Sequence, residues 1–149
     1  MYLWKAEGLP AVDTNLLAKN SSDPVVTLKS SGHRARSATR YRSLNPRYCE
    51  AFLLPLDSED ELITLTVMDE DLVSANDFMG AASVDPLDLR DRKPWKGWLK
   101  LKGKGGEADT DLGRILVTLH RVRHPDYVVS LPATEDDHRR PNELVIAVR

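Results

Sequence analysis

Apolar residues recur at alternate positions over short runs of this chain, and Gly, Pro, Asn and Asp separate the runs. A period of two puts successive side chains on opposite faces of a strand. Residues 2–9 (YLWKAEGL), 24–30 (PVVTLKS), 34–42 (RARSATRYR), 50–56 (EAFLLPL), 61–69 (ELITLTVMD) and 113–122 (GRILVTLHRV) read as strands on this ground. In 61–69 one face holds Ile63, Leu65 and Val67, the other Leu62, Thr64, Thr66 and Met68. A strand with one wholly apolar face packs against a second sheet. No run keeps the 3.6-residue period for the length of a long helix, and one short helical turn is expected after Pro86. Short strands without long helices define an all-β fold, a β-sandwich.

Length and composition add a domain plan. A chain of 149 residues with 41% hydrophobic and 30% charged residues builds one globular domain with a core. Past His124 the texture changes. A short apolar run, Tyr127 to Leu131, is followed by a charged, Pro-flanked stretch and then by the alternating NELVIAVR. The expected division is a domain over 1–131, a linker over 132–141, and a strand-like segment, 142–149. That last segment either closes this domain or opens a following one. No apolar run approaches the roughly 20 residues of a bilayer span, and the N-terminus carries no secretory pattern. The single cysteine, Cys49, excludes an intramolecular disulfide and suits a reducing, cytoplasmic compartment.

The net charge is only −2, but its signs are segregated. From Pro24 to Cys49 there is no acid, while Lys29, Arg34, Arg36, Arg40, Arg42 and Arg47 all fall there. Acids dominate from Asp57 to Asp77. Such polarisation points to two surfaces with different partners. Read as one strand, 34–42 puts Arg34, Arg36, Arg40 and Arg42 on a single face, in the fork-and-phosphate chemistry that arginine suits.

The acidic part carries the sharper signal. Asp69, Asp71 and Asp77 have the spacing D-x-D-x5-D at the exit of the most apolar strand, and an earlier loop supplies Asp13 and Asp23. Carboxylates crowd in this way where a cation offsets their repulsion, or in a solvated acidic loop whose aspartates serve in turns. A hard divalent ion such as calcium takes about 6–8 oxygens, mostly carboxylates and carbonyls. A sandwich gathers the loops of one end, so distance along the chain is no obstacle.

The runs AEGLPAVD (6–13), SDPVVTL (22–28), SLNPRYCEAFLLPL (43–56), ELITLTVMDEDLVSANDFMGAASV (61–84), WKGWLKL (95–101) and GRILVTL (113–119) together resemble a C2 domain, the calcium- and phospholipid-binding β-sandwich. The resemblance implies eight antiparallel strands with Greek-key connections and calcium-binding loops at one end. It implies that Asp13 and Asp23 are first-loop ligands of Ca2+, that Asp69, Asp71 and Asp77 are third-loop ligands, and that Ser74 adds an oxygen. It also implies that Arg34, Arg36, Arg40 and Arg42 bind phosphoinositide headgroups. The chain departs from the family pattern at Val25, Tyr48 and Cys49, where an aromatic residue, a tryptophan and an asparagine are usual. Its first loop, with nine residues between Asp13 and Asp23, is longer than the common form.

Function follows from charge on this reading. Bound calcium cancels the negative potential of the loop end, so an anionic membrane of phosphatidylserine can approach. Leu16 and Leu17 at the tip of the first loop, with Leu72 and Val73 at the tip of the third, then enter the headgroup boundary. The module is recruited peripherally to membranes, as one unit of a tandem array. The alternative is a calcium-independent interaction or scaffold module with protein partners. Catalysis is not expected, for no nucleophile elbow, phosphate loop or zinc spacing occurs. Nor is nucleic-acid binding, since the chain is net acidic and lacks a known motif. Cys49 is expected to be structural, and Trp4, Trp95 and Trp98 to pack in the core or at its rim.

Overall fold

The computed structural model describes residues 1–12, 21–71, 75–91, 93–106 and 111–122. Eight strands occur among them: β1 (Tyr2–Glu7), β2 (Pro24–Ser30), β3 (His33–Arg36), β4 (Arg47–Ala51), β5 (Ile63–Asp69), β6 (Asp77–Val84), β7 (Trp95–Lys100) and β8 (Arg114–Leu119). They form two four-stranded antiparallel sheets, in the orders β4-β1-β8-β7 and β3-β2-β5-β6. The chain passes between the sheets after β1, β3, β4 and β6, the Greek-key habit of a sandwich.

Alternation decides what is buried. Ile63, Leu65 and Val67 of β5 face the core together with Val26 and Leu28 of β2. Leu3 and Ala6 of β1 and Ile115, Val117 and Leu119 of β8 meet them from the other sheet. Each such side chain contributes about 1.5–3 kcal/mol by leaving water. Gly113 has φ +81°, a left-handed conformation that favours glycine, and a Cβ there would strike the carbonyl oxygens of Glu7 and Gly8. The turn therefore brings β8 tightly against the end of β1.

Two sequence expectations change. The run 34–42 is not one strand, because β3 stops at Arg36. Ser37 is the cause: its N–H donates to the Val26 carbonyl at 2.9 Å, and its Oγ accepts from the Val26 N–H at 2.9 Å. One side chain thus takes a rung of the ladder. The chain rejoins β2 only where Arg40 N donates to Pro24 O, so Arg40 and Arg42 leave the face shared by Arg34 and Arg36. The run 50–56 is displaced toward the N-terminus. β4 begins at Arg47, and the chain leaves the sheet after Phe52, before Pro55, which has no N–H to offer. Among the described strands, β1 pairs with β4 on one side and with β8 on the other. Residues 142–149 lie outside the described residues.

The short turn after Pro86 is a 3-10 turn, Pro86–Leu89, capped by Asp85 Oδ1, which accepts from Leu87 N at 2.8 Å. Tyr48 fills the usual tryptophan position as a buried residue whose hydroxyl donates to Pro24 O at 3.2 Å. Burial pushes that phenol well above its usual range. Trp4 is buried on the outer face of its sheet rather than between the sheets. Its indole donates to Thr118 Oγ1 at 2.9 Å, and Lys96 Nζ lies 4.5 Å from its ring centre. Trp98 is covered in the same way by Arg114, whereas Trp95 is exposed. Cys49 is an exposed free thiol with φ +55°.

Candidate functional site

Strand direction gathers acids at one end of the sandwich. Asp23 directly precedes β2, Asp69 is the last residue of β5, and Asp77 is the first of β6. Asp69 stands opposite Asp77 on one side and opposite Pro24 on the other. The three carboxylates therefore come from adjacent strand ends.

Backbone hydrogen bonds hold the arrangement. Asp23 N donates to Asp69 Oδ1 at 2.6 Å, and Asp23 O accepts from Glu70 N at 3.0 Å. Asp23 Oδ1 in turn accepts from Arg42 N at 2.7 Å. The stems of the third loop are tied by Asp71 N, which donates to Asn76 Oδ1 at 3.3 Å. The stems of the first loop are clamped by the buried Ser22, whose Oγ accepts from Val12 N at 3.0 Å and donates to Pro10 O at 3.2 Å. Residues 12 and 22 are thereby neighbours, and the chain enters and leaves that loop beside Asp23. Asp13, Ser74 and the tip residues Leu16, Leu17, Leu72 and Val73 lie outside the described residues.

Asp69 is only 2% exposed, and its second oxygen, Oδ2, is buried with no hydrogen-bond partner among the described residues. A buried carboxylate oxygen without a partner is costly, and a cation removes the cost. The donor chemistry fits a hard, oxygen-seeking divalent ion. Among the described residues alone, no three His, Cys, Asp or Glu side chains converge closely enough to hold a metal.

The fourth acid of the run has a different task. Glu70 pairs with Arg36 and accepts a hydrogen bond from the Thr39 hydroxyl. These contacts, Thr39 first and then Arg36, hold its carboxyl below the usual range. Sequence alternation missed this, because it set Arg36 among free phosphate ligands. Arg40 also has protein partners: it bonds Tyr48 O at 2.7 Å and Glu50 at 2.9 Å, half-buried over the Tyr48 ring. Arg34 is exposed on β3 opposite Lys29, and Arg42 is exposed with φ +54°. The four arginines thus divide into two on β3 and two on the loop that braces the acidic end.

This fold and site define a class. The C2 domain family model matches residues 1–101, and the chain belongs to that family. It is 32% identical over 138 residues to the Rho GTPase-activating protein gacEE of Dictyostelium discoideum, covering 87% of this chain and 23% of that protein. It is 34% identical over 120 residues to the multiple C2 and transmembrane domain-containing protein of Drosophila melanogaster, covering 80% of this chain and 13% of that protein. The chain thus spans less than a quarter of either relative. Among solved structures, the calcium-bound pair of C2 domains from extended synaptotagmin 2 shares the fold. There the TM-score is 0.68 and the identity 21%, over 80% of this chain and 43% of that one. A C2 domain of plant extended synaptotagmin 1 shares it too, with a TM-score of 0.63 and 18% identity over 82% of this chain and 93% of that one. No helix among the described residues is long and apolar enough to cross a membrane.

Proposed function

We propose that this C2 domain binds calcium at its acidic end and, once loaded, docks on anionic phospholipid membranes as a targeting module rather than a catalyst. The observation that carries the reading is the partnerless buried Oδ2 of Asp69 at the meeting point of three acidic strand ends. Asp23, Asp69, Asp71 and Asp77 would hold the ion, with Asp13 and Ser74 completing the set. Calcium supplies positive charge that cancels the carboxylates and leaves coordination positions for lipid phosphate. The chain's own residues supply the rest. Ser22 and the Asp23–Asp69 bond keep the ligand stems together, and Glu70 is withdrawn from the site by Arg36 and Thr39. The apolar tips, Leu16, Leu17, Leu72 and Val73, enter the headgroup boundary when the repulsion is gone. Exposed Arg34 and Arg42, joined by Arg36 and Arg40 where a headgroup displaces their carboxylate partners, contact phosphoinositides beside phosphatidylserine.

The module works in the cytoplasm, recruited peripherally. With domain 1–131, linker 132–141 and the strand-like 142–149, it is one unit of a tandem, a reading supported by the name of the Drosophila relative. Linked modules raise avidity without new contacts.

A second reading keeps the fold as a calcium-independent protein-interaction module. Its support is that Asp23 Oδ1 and Asp69 Oδ1 already have backbone donors within the chain. Calorimetric titration separates the two. Heat of binding and a raised melting temperature in calcium support the first; no heat at millimolar calcium supports the second. Replacing Arg36 and Arg40 by Gln is expected to weaken binding to phosphoinositide vesicles while calcium binding to the bare domain stays unchanged. An equal loss on phosphatidylserine vesicles would argue against a headgroup site.

A further inference from the structure

Arg34 and Arg36 stand five and three residues before Thr39 in the run RARSATRYR. Arginines at these two places are what a protein kinase with an acidic substrate groove reads, since each guanidinium fork meets a carboxylate. Both are exposed on β3, an edge strand among the described strands, so this part of the chain is already extended. Thr39 lies beyond the strand, half-buried on the loop between β3 and β4. Two neighbouring hydroxyls suit such a transfer less well. Ser37 is only 5% exposed, and its Oγ is held in the ladder by Val26 N. Ser43 follows Arg40 by three residues, but Arg40 is bonded to Tyr48 O and Glu50.

We propose that Thr39 is a phosphorylation site, and that its phosphate replaces Glu70 as the partner of Arg36 and thereby turns off docking on anionic membranes. The phosphoryl donor is ATP, bound with magnesium by the kinase. Thr39 Oγ1 bonds to the γ-phosphorus, and the bond from that phosphorus to the β,γ-bridging oxygen breaks. ADP leaves with the electron pair, and the hydroxyl proton passes to a base of the kinase. The transfer removes the proton that Thr39 Oγ1 donates to Glu70 and puts a charge of about −1.5 to −2 in its place. Two anions cannot share that contact. Arg36, paired with Glu70 before the transfer, turns to the phosphate, which offers its fork two oxygens. Glu70 is set loose beside Asp69 and Asp71, while its N–H donates to Asp23 O. The arginine surface is neutralised and the acidic end gains charge, both against an anionic bilayer. The effect on docking rests on the membrane reading above; the modification and the exchange of partners do not.

Incubation of the full chain with magnesium ATP and a kinase that requires arginine five and three residues before the acceptor tests it, read by fragment mass spectrometry. One phosphoryl group per chain is expected, on Thr39. It is expected to be absent from Thr39→Val and to be added about tenfold more slowly to Arg34→Gln, which lacks one guanidinium contact. In urea melts Glu70→Gln weakens the unmodified chain and is expected to leave the phosphorylated chain nearly unchanged. Binding of the phosphorylated chain to phosphatidylserine vesicles in calcium is expected to fall about tenfold, while calorimetric calcium binding to the bare domain is retained. No transfer to the folded chain, or transfer to a residue other than Thr39, overturns the proposal. So does a Glu70→Gln gap that phosphorylation leaves in place, or vesicle binding that it leaves unchanged. A parent that ignores the vesicles in calcium overturns the membrane reading instead, and the mass and the melts then decide the site and the exchange of partners.

Discussion

Asp69→Asn is the substitution that tests the acidic end most sharply. The side chains have nearly the same shape, so the amide oxygen can keep the 2.6 Å bond from Asp23 N. That bond loses its charged acceptor, which costs about 1 kcal/mol by the difference between charged and neutral hydrogen bonds. The loss of a buried negative charge opposite Asp77 works the other way. Two unit charges roughly 6 Å apart repel by about 3 kcal/mol at an effective dielectric of 20, and by about 0.7 kcal/mol in bulk water. The exposure of Asp77 puts the true figure near the lower end. In calcium-free buffer the two changes nearly cancel, and the variant's melting temperature is expected within a few degrees of the parent's. Calcium separates them. At a free concentration 100 times Kd a single site stabilises the parent by about 2.7 kcal/mol, and a tenfold loss of affinity leaves about 1.4 kcal/mol. Thermal melts with and without calcium therefore show the variant's gain cut to about half. An equal gain in both proteins, or a variant unfolded in calcium-free buffer, refutes the role given to Asp69.

Three further outcomes follow from the geometry. Glu70 has a carboxyl pKa held low by Thr39 and Arg36, so its stabilising contribution is fully present above the unfolded carboxylate pKa and fades as pH falls through the lowered folded value. Urea melts of the parent and Glu70→Gln are expected to differ at pH 7 and converge in acid, and a constant gap would count against the pairing. Tyr48→Phe removes the hydroxyl that donates to Pro24 O and is expected to cost about 1 kcal/mol in denaturant unfolding, with the calcium response retained. Gly113→Ala combines a left-handed backbone with a collision against Glu7 and Gly8, and a loss of more than about 2 kcal/mol is expected in the same assay.

The sandwich was legible because its central strand β5 keeps the period of two along its whole length. Ile63, Leu65 and Val67 announce a buried face, and that face lies in the core. The acidic end was legible in part: the pattern marks the strand that Asp69 closes, but β6, which Asp77 opens, is not among the runs read as strands, and its pairing with β5 is what sets Asp77 opposite Asp69. What alternation could not reveal is side-chain substitution for backbone. Ser37 takes a ladder rung with its Oγ, and nothing in RARSATRYR marks that break, so alternation put Arg40 and Arg42 on one face with Arg34 and Arg36. The partners of Arg36 and Arg40 were hidden for a similar reason. Glu70 comes close to Arg36 through the pairing of β3 with β2 and of β2 with β5, and Glu50 meets Arg40 ten residues back along the chain. Trp4 is buried as expected, but the sequence could not assign its cover: on the outer face of the sheet it lies under the long cation of Lys96.

The central claim is that calcium gates membrane contact at the acidic end. Co-sedimentation with phosphatidylserine vesicles, in calcium and then in excess chelator, tests it most directly for the parent and Asp69→Asn side by side. The account predicts that the parent pellets with anionic vesicles in calcium, is released by chelator, ignores neutral vesicles, and loses most of its binding with Asp69→Asn. Equal pelleting of the parent with and without calcium would contradict it.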